Sequence, residues 1–358
     1  MKAALIGCGR IGFLLENDRL RKKPCTHFGG ARAAGIKINY ACDINRERLE
    51  KFAEVARIPD ENLFSESTAL LGAVRPDLVI IATWTESHAS ICMDAAENGA
   101  GVIVLEKPIS PSLTSASAIL RTCGDRGSRL IINHERRFDA RYRKLRDFID
   151  SGGIGEIKSA RASILTSGFH GESRPEAGGG PLLHDGTHLV DMVRFLFGDI
   201  ERVRGEFWRQ GRRSGYEDGA LAWMKTSKGV DVFLEAGGRR DYFSFELDIS
   251  GTSGRIMIGN GYERLYLKGR SRLYTGFNDL IEKPFPAYDR KKNCFRELYV
   301  EAAGAFAGRP DVPASSGIDG YRALEAVHAV YLSAHKKKEI ILPIGKHDAD
   351  LKKIFGMR

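Results

Sequence analysis

The sequence predicts an α/β protein with two domains, residues 1–134 and 135–358. The first domain has a doubly wound parallel sheet, and the second is an α+β domain with a large, mainly antiparallel open sheet. In the first domain, short apolar runs alternate with amphipathic segments, as parallel strands alternate with helices. Beyond residue 150, strand-length segments alternate apolar and polar residues, which is typical of antiparallel strands covered on one face.

The apolar runs of the first domain are too short for helices, so each is predicted as a buried strand. These strands are Ala3–Ile6, Ile38–Cys42, Leu63–Phe64, Leu78–Ala82, Val102–Leu105 and Arg129–Asn133. Helices are predicted in the segments between them, at Arg46–Val55, Ala69–Ala73, His88–Asn98 and Ser115–Arg126.

In the second domain, alternation with a period of two predicts strands, and longer amphipathic segments predict helices. The predicted strands are Ile157–Leu165, Val203–Trp208, Ala220–Thr226, Asp231–Ala236, Ser244–Ile249, Arg255–Ile258 and Ile340–Leu342. The predicted helices are Ala140–Ser151, Gly186–Phe197, Cys294–Ala307 and Asp319–Lys336. The C-terminal segment either completes this domain or packs back on the first.

Composition limits the classes of function. Charged residues make up 28% and hydrophobic residues 42% of the 358 positions, ordinary values for a globular protein. The formal charge of +9 suits an anionic ligand, but the basic residues are dispersed, so we expect no nucleic-acid partner. Six scattered cysteines indicate neither a disulfide framework nor a metal site. With no signal-peptide pattern and no membrane-length apolar run, we expect a cytoplasmic protein without a membrane partner.

A glycine-rich turn follows the first strand directly, Gly7-Cys8-Gly9-Arg10-Ile11-Gly12. In dinucleotide-binding proteins the first glycine allows a tight turn, the second lets the backbone approach a pyrophosphate, and the third allows close helix–strand packing. Asp43, at the end of the second strand, can accept hydrogen bonds from ribose hydroxyls. Its carboxylate would repel a 2′-phosphate. The sequence therefore predicts a site for NAD in preference to NADP.

The spacing within this signature is long. Asp43 lies 43 − 7 = 36 positions after Gly7, against roughly 20 in the usual arrangement. The polar, basic segment Leu14–Thr26 accounts for the excess as an insertion. It is either an inert surface loop or a loop that folds over the cofactor or substrate. Arg46 offers an opposite preference, because it can bind a 2′-phosphate.

The tripeptide Glu106-Lys107-Pro108 ends the apolar run Val102–Leu105. A lysine at the carboxyl end of a parallel strand lies at the edge where open α/β sheets bind ligands. There the ammonium can reach a bound substrate, and burial can bring its pKa toward neutrality for proton transfer. Lys107 is therefore predicted as a catalytic residue. The alternative is a surface lysine before a turn.

Several further motifs occur in one order along nearly the whole chain. They are Ile81-Ala82-Thr83 with His88, Asn133 with Arg136-Arg137-Phe138, Ile154-Gly155-Glu156-Ile157, and Gly178-Gly179-Gly180 through Gly186-Thr187-His188. With this ordered set the chain resembles the glucose–fructose oxidoreductase / inositol dehydrogenase / MocA (Gfo/Idh/MocA) family of NAD(P)-dependent sugar oxidoreductases. The resemblance implies a Rossmann domain and a polyol or sugar substrate that meets the nicotinamide between the domains. It also implies a homo-oligomer, a dimer or tetramer, joined through the C-terminal sheet.

The resemblance assigns the family's active-site lysine to Lys107 and its catalytic histidine to His188. The family's acid, four residues before that histidine, is replaced by His184, and Asp185 lies one position away. If residues 184–197 are helical, the two histidines share one face, whereas Asp185 is rotated by roughly 100° and serves as a neighbouring partner or a helix N-terminal charge. The imidazoles are predicted to perform acid–base chemistry. Two histidines at zinc-ligand spacing do not by themselves make a metal site, and we predict none.

Other residues of these motifs are predicted to line the site. Those assigned to the cofactor, besides the glycine turn and Asp43, are Thr83, Trp84, His88, Glu106, Lys107 and Pro108. Those assigned to the substrate are Lys107, Asn133, Arg136, Arg137, His184 and His188. Trp84 either walls the nicotinamide pocket or packs in the core, and at least one of the two arginines has an inter-domain salt bridge as its alternative role. His170 and Arg174 lie in a loop that can reach the same cleft.

The motifs together predict an enzyme, an NAD(P)-dependent dehydrogenase acting on CH–OH groups of a sugar, inositol or sugar derivative. In this hypothesis His188, with or without His184, removes the hydroxyl proton, and Lys107 stabilises charge on the reacting oxygen. Two alternatives remain open. One is a non-catalytic dinucleotide-binding regulator on the same fold, and the other is NAD-dependent hydrolysis or elimination of a glycoside through transient oxidation.

Overall fold

The structure, a computed structural model, describes residues 1–166, 179–209, 215–309, 313–344 and 351–355. It divides into two compact units. The first contains Met1–Ala140 and Asp289–Tyr321, and the second contains Arg141–Tyr288 and Arg322–Arg358. The chain thus leaves the first unit shortly after the predicted boundary at residue 134 and returns to it for one later segment.

Within the described residues, the first unit contains a six-stranded parallel sheet. Its strands are β1 (Ala3–Ile6), β2 (Ile38–Cys42), β3 (Leu63–Phe64), β4 (Leu78–Ile81), β5 (Val102–Leu105) and β6 (Arg129–Ile132). Their order, β3-β2-β1-β4-β5-β6, reverses direction between β1 and β4, which is where such sheets bind ligands. All residues of β1, β4 and β5 are buried, because helices cover both faces of the sheet. The predicted doubly wound sheet is confirmed.

The described part of the second unit contains a nine-stranded sheet in the order β14-β13-β12-β11-β7-β10-β9-β8-β15. Its strands are β7 (Ile157–Leu165), β8 (Ile200–Trp208), β9 (Gly219–Thr226), β10 (Asp231–Gly237), β11 (Ser244–Gly251), β12 (Gly254–Gly259), β13 (Tyr262–Arg270), β14 (Asn278–Lys283) and β15 (Ile340–Ile341). Among these, β7 and β10 form the one parallel pair, so the predicted mainly antiparallel sheet is confirmed. Sequence reasoning missed β13 and β14. Most of their residues are exposed or half-buried, so apolar and polar positions do not alternate clearly.

The helices of the described residues connect and cover these sheets. They are α1 (His27–Ala33), α2 (Arg46–Ala56), α3 (Ser67–Val74), α4 (His88–Glu97), α5 (Leu113–Asp125), α6 (Ala140–Asp150), α7 (Pro181–His184), α8 (Gly186–Phe197), α9 (Cys294–Phe306), α10 (Gly317–Lys336) and α11 (Leu351–Phe355). Helix α9 belongs to the first unit, because Leu298 and Tyr299 are buried in the same hydrophobic cluster as Leu5 and Phe13. No helix of the described residues is long and apolar enough to cross a membrane.

Among the described residues of the second unit, helices cover only one face of its sheet. Along β7, β9, β10 and β11 the buried residues alternate with exposed or half-buried ones, and α7 and α8 pack on the buried side. The other face presents Leu221 and Phe233, each about half exposed, beside charged residues such as Arg161 and Glu246. The sheet is therefore open within this unit, as the sequence predicts.

Candidate active site

The three glycines of the turn after β1 differ in what surrounds them. Gly7 has a positive φ of 97°, and a Cβ there would lie 2.5 Å from the Ala82 carbonyl oxygen. A Cβ at Gly12 would collide with the Gly7 carbonyl oxygen, so only glycine at position 12 lets the backbone there pack against the backbone at Gly7. At Gly9 no described atom lies within 4 Å of a Cβ position, which leaves the backbone open to a ligand. These surroundings fit a pyrophosphate that approaches the backbone at Gly9.

The helix after this turn is interrupted in sequence but continuous in hydrogen bonding. The Phe13 amide donates to the Gly9 carbonyl at 3.0 Å, and the Leu15 amide donates to the Arg10 carbonyl at 2.9 Å. The next two acceptors, the carbonyls of Ile11 and Gly12, receive the amides of His27 and Phe28 at 3.0 Å each. His27 thus takes the place of residue 15, so residues 15–26 are an insertion of 27 − 15 = 12 residues within the first helical turn. This insertion explains the long spacing between Gly7 and Asp43.

Asp43 follows β2 and is held in a fixed orientation. Its Oδ2 accepts the Cys8 amide at 2.7 Å, its Oδ1 accepts the Asn45 amide at 2.8 Å, and the residue is 8% exposed. Each carboxylate oxygen keeps a further lone pair for a ribose hydroxyl. Burial, together with the charge of Asp43, raises the pKa of the Cys8 thiol. Arg46 instead extends into solvent, where its Nε lies 2.7 Å from Glu50.

The surroundings of the glycines lead to a first prediction, a matched pair of alanine variants. Gly9→Ala should leave the unfolding temperature within about 1 °C of wild type but raise the Kd for NAD⁺ about tenfold or more, because the added methyl group occupies the space open to the ligand. Gly12→Ala should lower the unfolding temperature by about 5 °C or more, because its Cβ meets backbone. Calorimetry and NAD⁺ titration measure both. Equal stability losses in the two variants would contradict the assignment.

Asp43 carries a second prediction, on cofactor choice. Asp43→Ala should raise the Kd for NAD⁺ about tenfold, because hydrogen bonds to a charged acceptor are lost. It should also reduce the preference for NAD⁺ over NADP⁺, because the carboxylate no longer repels a 2′-phosphate. Parallel titrations with the two dinucleotides test this, with the exposed Asp60→Ala as control. Unchanged affinities for both would remove Asp43 from the cofactor site.

The glutamate beside Lys107 is the centre of a buried hydrogen-bond network. Glu106 Oε1 lies 2.8 Å from His27 Nε2 and accepts from the side-chain amide of Asn133. The other ring nitrogen of His27, Nδ1, lies 2.6 Å from the Tyr299 hydroxyl oxygen. Burial by itself favours the neutral acid, but the hydrogen bond and charge of His27, with the charge of Lys107 and the Asn133 amide, lower the pKa of Glu106 to about 2. Glu106 is therefore a buried anion at physiological pH.

Sequence reasoning placed Glu106 and Asn133 in the site but missed His27 and Tyr299. His27 is the first residue of α1 and lies 79 residues before Glu106. Tyr299, in α9, lies 272 residues after His27. No local pattern links positions so far apart. The available signal was the histidine that directly follows the predicted insertion.

Lys107 itself lies at the carboxyl end of β5 and is half-buried, next to the buried Glu106. Its charge also acts on Glu135, which follows β6: burial raises the pKa of Glu135, and the charges of Arg136 and Lys107 oppose that increase. The charge of Lys107 thus acts on two acidic residues of the first unit, Glu106 and Glu135.

His88 joins two of the strand-end loops. Its Nδ1 lies 2.8 Å from the Pro108 carbonyl oxygen and its Nε2 lies 3.2 Å from the Thr83 carbonyl oxygen. It is fully buried, and burial lowers its pKa, whereas the hydrogen bonds to the two carbonyls oppose this decrease. His88 therefore supports the loops and has no surface for direct contact with a cofactor. Trp84, in contrast, is 61% exposed, so the core-packing alternative for it is wrong.

The residues after β6 are engaged within the first unit. Arg136 Nη1 lies 2.7 Å from Glu135. Arg137 is buried and pairs with Asp319 at 3.0 Å, so it anchors the first turn of α10. Asn133 Oδ1 is buried and has no hydrogen-bond partner among the described residues, so it can accept a hydrogen bond from a ligand.

The predicted histidines lie in the second unit, where α7 runs into α8 through Asp185. His184 is partly exposed and its Nδ1 lies 3.1 Å from Asp185 Oδ1, so Asp185 can orient this ring. His188 is 8% exposed, and its amide donates to the Asp185 carbonyl at 3.1 Å. Asp185 is thus a partner of His184, and it is both the C-cap residue of α7 and the N-cap residue of α8. The predicted helix Gly186–Phe197 is observed as α8, and His184 lies outside it at the end of α7, so the two histidines are not on one continuous helix. His170, Arg174 and Gly178 lie outside the described residues.

Two family profiles match the chain. Residues 1–134 match the profile described as oxidoreductase family, NAD-binding Rossmann fold, and residues 142–257 match the GFO/IDH/MocA C-terminal domain. The chain belongs to the GFO/IDH/MocA family. One matched range lies in each unit, and this GFO/IDH/MocA protein is accordingly an NAD-dependent oxidoreductase.

Similar proteins of known activity match most of this GFO/IDH/MocA chain. D-apiose dehydrogenase of Paraburkholderia graminis is 27% identical over 355 residues, which cover 95% of this chain and 89% of that protein. scyllo-Inositol 2-dehydrogenase (NAD⁺) of Bacillus subtilis is 27% identical over 268 residues, which cover 72% of this chain and 74% of that protein. Among solved structures, the WlbA dehydrogenase of Bordetella pertussis in complex with NADH and UDP-GlcNAcA is 20% identical, with a TM-score of 0.77 over 96% of this chain and 98% of that one. That last likeness shows the fold.

Proposed function

We propose that this protein transfers hydride between NAD and a secondary alcohol or ketone of a sugar, an inositol or a sugar derivative. The observation that carries the proposal is Lys107, a half-buried ammonium beside the buried anion Glu106, at the ligand-binding edge of an NAD-binding sheet. The similar apiose and inositol dehydrogenases support a hydroxyl-rich substrate.

The proposed cofactor residues are the turn Gly7–Gly12 with Arg10 and Ile11, the ribose-binding Asp43, and the strand-end loop of Thr83 and Trp84. NAD, when bound, supplies the acceptor or donor of hydride. The chain's own part is to bind it: Gly9 leaves its backbone accessible, Asp43 fixes the ribose, and the exposed Trp84 ring is available to the nicotinamide side. His88, Glu106 and Pro108 serve this site by fixing the loops.

In the proposed mechanism, Lys107 donates a hydrogen bond to the reacting oxygen and stabilises the negative charge that develops there when the proton leaves. His188 accepts the hydroxyl proton from the substrate, with His184 as a second imidazole. Asp185, 3.1 Å from His184 Nδ1, orients that ring. Asn133, through the Oδ1 that has no hydrogen-bond partner among the described residues, and Arg136 bind further substrate hydroxyls.

The experiment that tests the function is a substrate screen. Purified protein is mixed with NAD⁺ or NADP⁺ and a panel of pentoses, hexoses, inositols and nucleotide sugars, and NADH formation is followed by absorbance. A substrate that gives steady turnover with NAD⁺ is the expected result. Release of an aglycone without net NADH would indicate hydrolysis through transient oxidation. Tight NAD⁺ binding with no turnover of any panel member would favour a regulator instead.

We also propose a homo-oligomer formed through the open face of the second sheet, in the cytoplasm. Leu221 and Phe233, about half exposed, flank a shallow groove of about 350 Å³ that also contains Arg161 and Glu246. Apolar side chains with both charges beside them suit a self-complementary contact. The described cysteines are free thiols, which suits a reducing compartment. The mass in solution of wild type and of Phe233→Glu tests the oligomer, and a wild-type monomer at all concentrations would end the proposal.

A further inference from the structure

A buried glutamate of the second unit has no role in the function proposed above. Glu217 precedes β9 and is 3% exposed. Its Oε1 accepts two hydrogen bonds, from the Leu182 amide at 2.9 Å and from the Tyr331 hydroxyl at 2.9 Å. Its Oε2 is buried and has no hydrogen-bond partner among the described residues. A buried carboxyl group that is only half satisfied is costly, which indicates a use for it.

Glu217 supplies the cap that α7 lacks. The residue at the start of α7, Gly180, has no side chain to accept the first helical amides, and Glu217 reaches the Leu182 amide from 35 residues away in sequence. A Cβ at Gly180 would collide with the Glu217 carboxylate, so the close approach requires glycine there. The His184 amide then donates to the Gly180 carbonyl at 2.9 Å. The single turn that carries His184 is thus held at its start by Glu217.

The carboxylate is backed by a rigid aromatic cluster. The ring of Tyr331, whose hydroxyl donates to Glu217, packs 5.0 Å from Phe355 and 6.3 Å from Phe207 between ring centroids. Phe355 also packs 5.3 Å from Tyr216. Tyr331 and Phe355 are fully buried, so the hydroxyl cannot move away from Glu217 without disturbing this cluster.

We propose that Glu217 is a positioning residue for His184 and, through the Asp185 cap, for His188. The proposal rests on the function proposed above only for the catalytic use of those histidines. The hold of Glu217 on the Leu182 amide is stronger when the carboxyl group is ionised, because charged acceptors make the stronger hydrogen bonds.

The burial of Glu217 makes its hydrogen bond with the Leu182 amide sensitive to pH. Burial raises the pKa of Glu217 to about 7, the hydrogen bonds from Leu182 and Tyr331 oppose the increase, and the neighbouring Asp218 adds to it. Asp218 is itself paired with Arg239 at 3.2 Å. Because the folded-state pKa lies above the usual value of 4.5, the net stability that the protonated Glu217 gives to the fold is complete below about pH 4.5 and is lost as the pH rises through about 7. The hydrogen bond from the Leu182 amide changes in the opposite direction, because it favours the ionised carboxylate and so becomes stronger over the same pH range.

Glu217→Gln tests the proposal, since glutamine keeps the Oε1 acceptor but cannot ionise. Without any substrate, the Leu182 amide resonance of wild type should titrate near pH 7, and this titration should vanish in the variant. Tyr331→Phe is the matched control: it keeps the Leu182 contact, so the titration should persist and move to higher pH. A Leu182 titration that persists unchanged in Glu217→Gln would overturn the proposal.

Kinetics with a substrate from the screen give the second readout. Glu217→Gln should lower kcat about tenfold above pH 7.5 and less than about twofold below pH 6, with the KM for NAD⁺ unchanged. A decrease by one factor at every pH, with a lower unfolding temperature, would show a merely structural role and contradict the proposal. If His188→Ala retains full activity while the Leu182 titration depends on Glu217, the catalytic assignment fails and the positioning of the turn stands.

Discussion

Replacing Lys107 with alanine is expected to lower kcat about a thousandfold while the Kd for NAD⁺ changes less than about twofold. The ammonium stabilises charge that exists on the reacting oxygen only when the proton has left, so its loss affects the transition state and not the bound dinucleotide. The fold should tolerate the change, because Lys107 is half-buried and the network around Glu106 keeps its hydrogen bonds from His27 and Asn133. Steady-state turnover and NAD⁺ titration of the same preparations measure the two effects.

Lys51→Ala, which removes an exposed lysine from the same unit, is the control for the change in net charge. It should match wild type in both measurements. Lys107→Arg separates charge from geometry, since the guanidinium keeps the positive charge but presents a planar group in place of a compact one. Undiminished turnover in Lys107→Ala would remove this residue from the catalytic machinery.

The second large effect is expected at His188. His188→Ala should lower kcat by a hundredfold to about ten-thousandfold, because the hydroxyl proton loses its positioned acceptor. Steady-state turnover of the variant and of wild type with the substrate from the screen measures this decrease.

His184→Ala resolves how the two imidazoles share this work. A much smaller decrease than in His188→Ala identifies His188 as the base, whereas equal decreases that do not add in the double variant show that the pair acts as a unit. His335, exposed at the end of α10, gives the matched control His335→Ala. Wild-type turnover in His188→Ala would contradict the proton-transfer role.

The parts of the fold that sequence alone predicts are those set by local patterns. The strands β1, β2 and β5 and the helix α8 have their predicted bounds, because continuous apolar runs and the period of an amphipathic helix are visible in a short window. The glycine turn was predictable for the same reason, since each glycine answers a local steric requirement. The predicted insertion before α1 followed from counting residues between two local signals.

The rest depends on contacts between distant positions. The return of α9 to the first unit is fixed by the burial of Leu298 and Tyr299 against strands near the N-terminus. The carboxylate of Glu106 and the ring of His27 are in hydrogen-bond contact although they are 79 residues apart, because the fold brings the end of β5 next to the start of α1. Glu217 caps α7 across 35 residues, so no capping pattern appears in the sequence around Gly180. Such pairs become visible only when the chain is folded.

The hydrogen-bond ladder that passes from Gly12 to Phe28 has a consequence for how this protein can vary. The peptide dipoles of α1 stay aligned toward the glycine turn, although the chain leaves the helix for twelve residues at this point and then returns to it. Closing a loop costs only about 0.6 kcal/mol for each doubling of its length, so residues can be added to or removed from the middle of this loop at little entropic cost. Its ends are constrained, because Thr26 caps α1 and Glu16 accepts the Thr26 hydroxyl and the Cys25 amide. The exposed residues 19–23 are therefore the part of the loop whose length and composition can change while α1 and the glycine turn stay as they are.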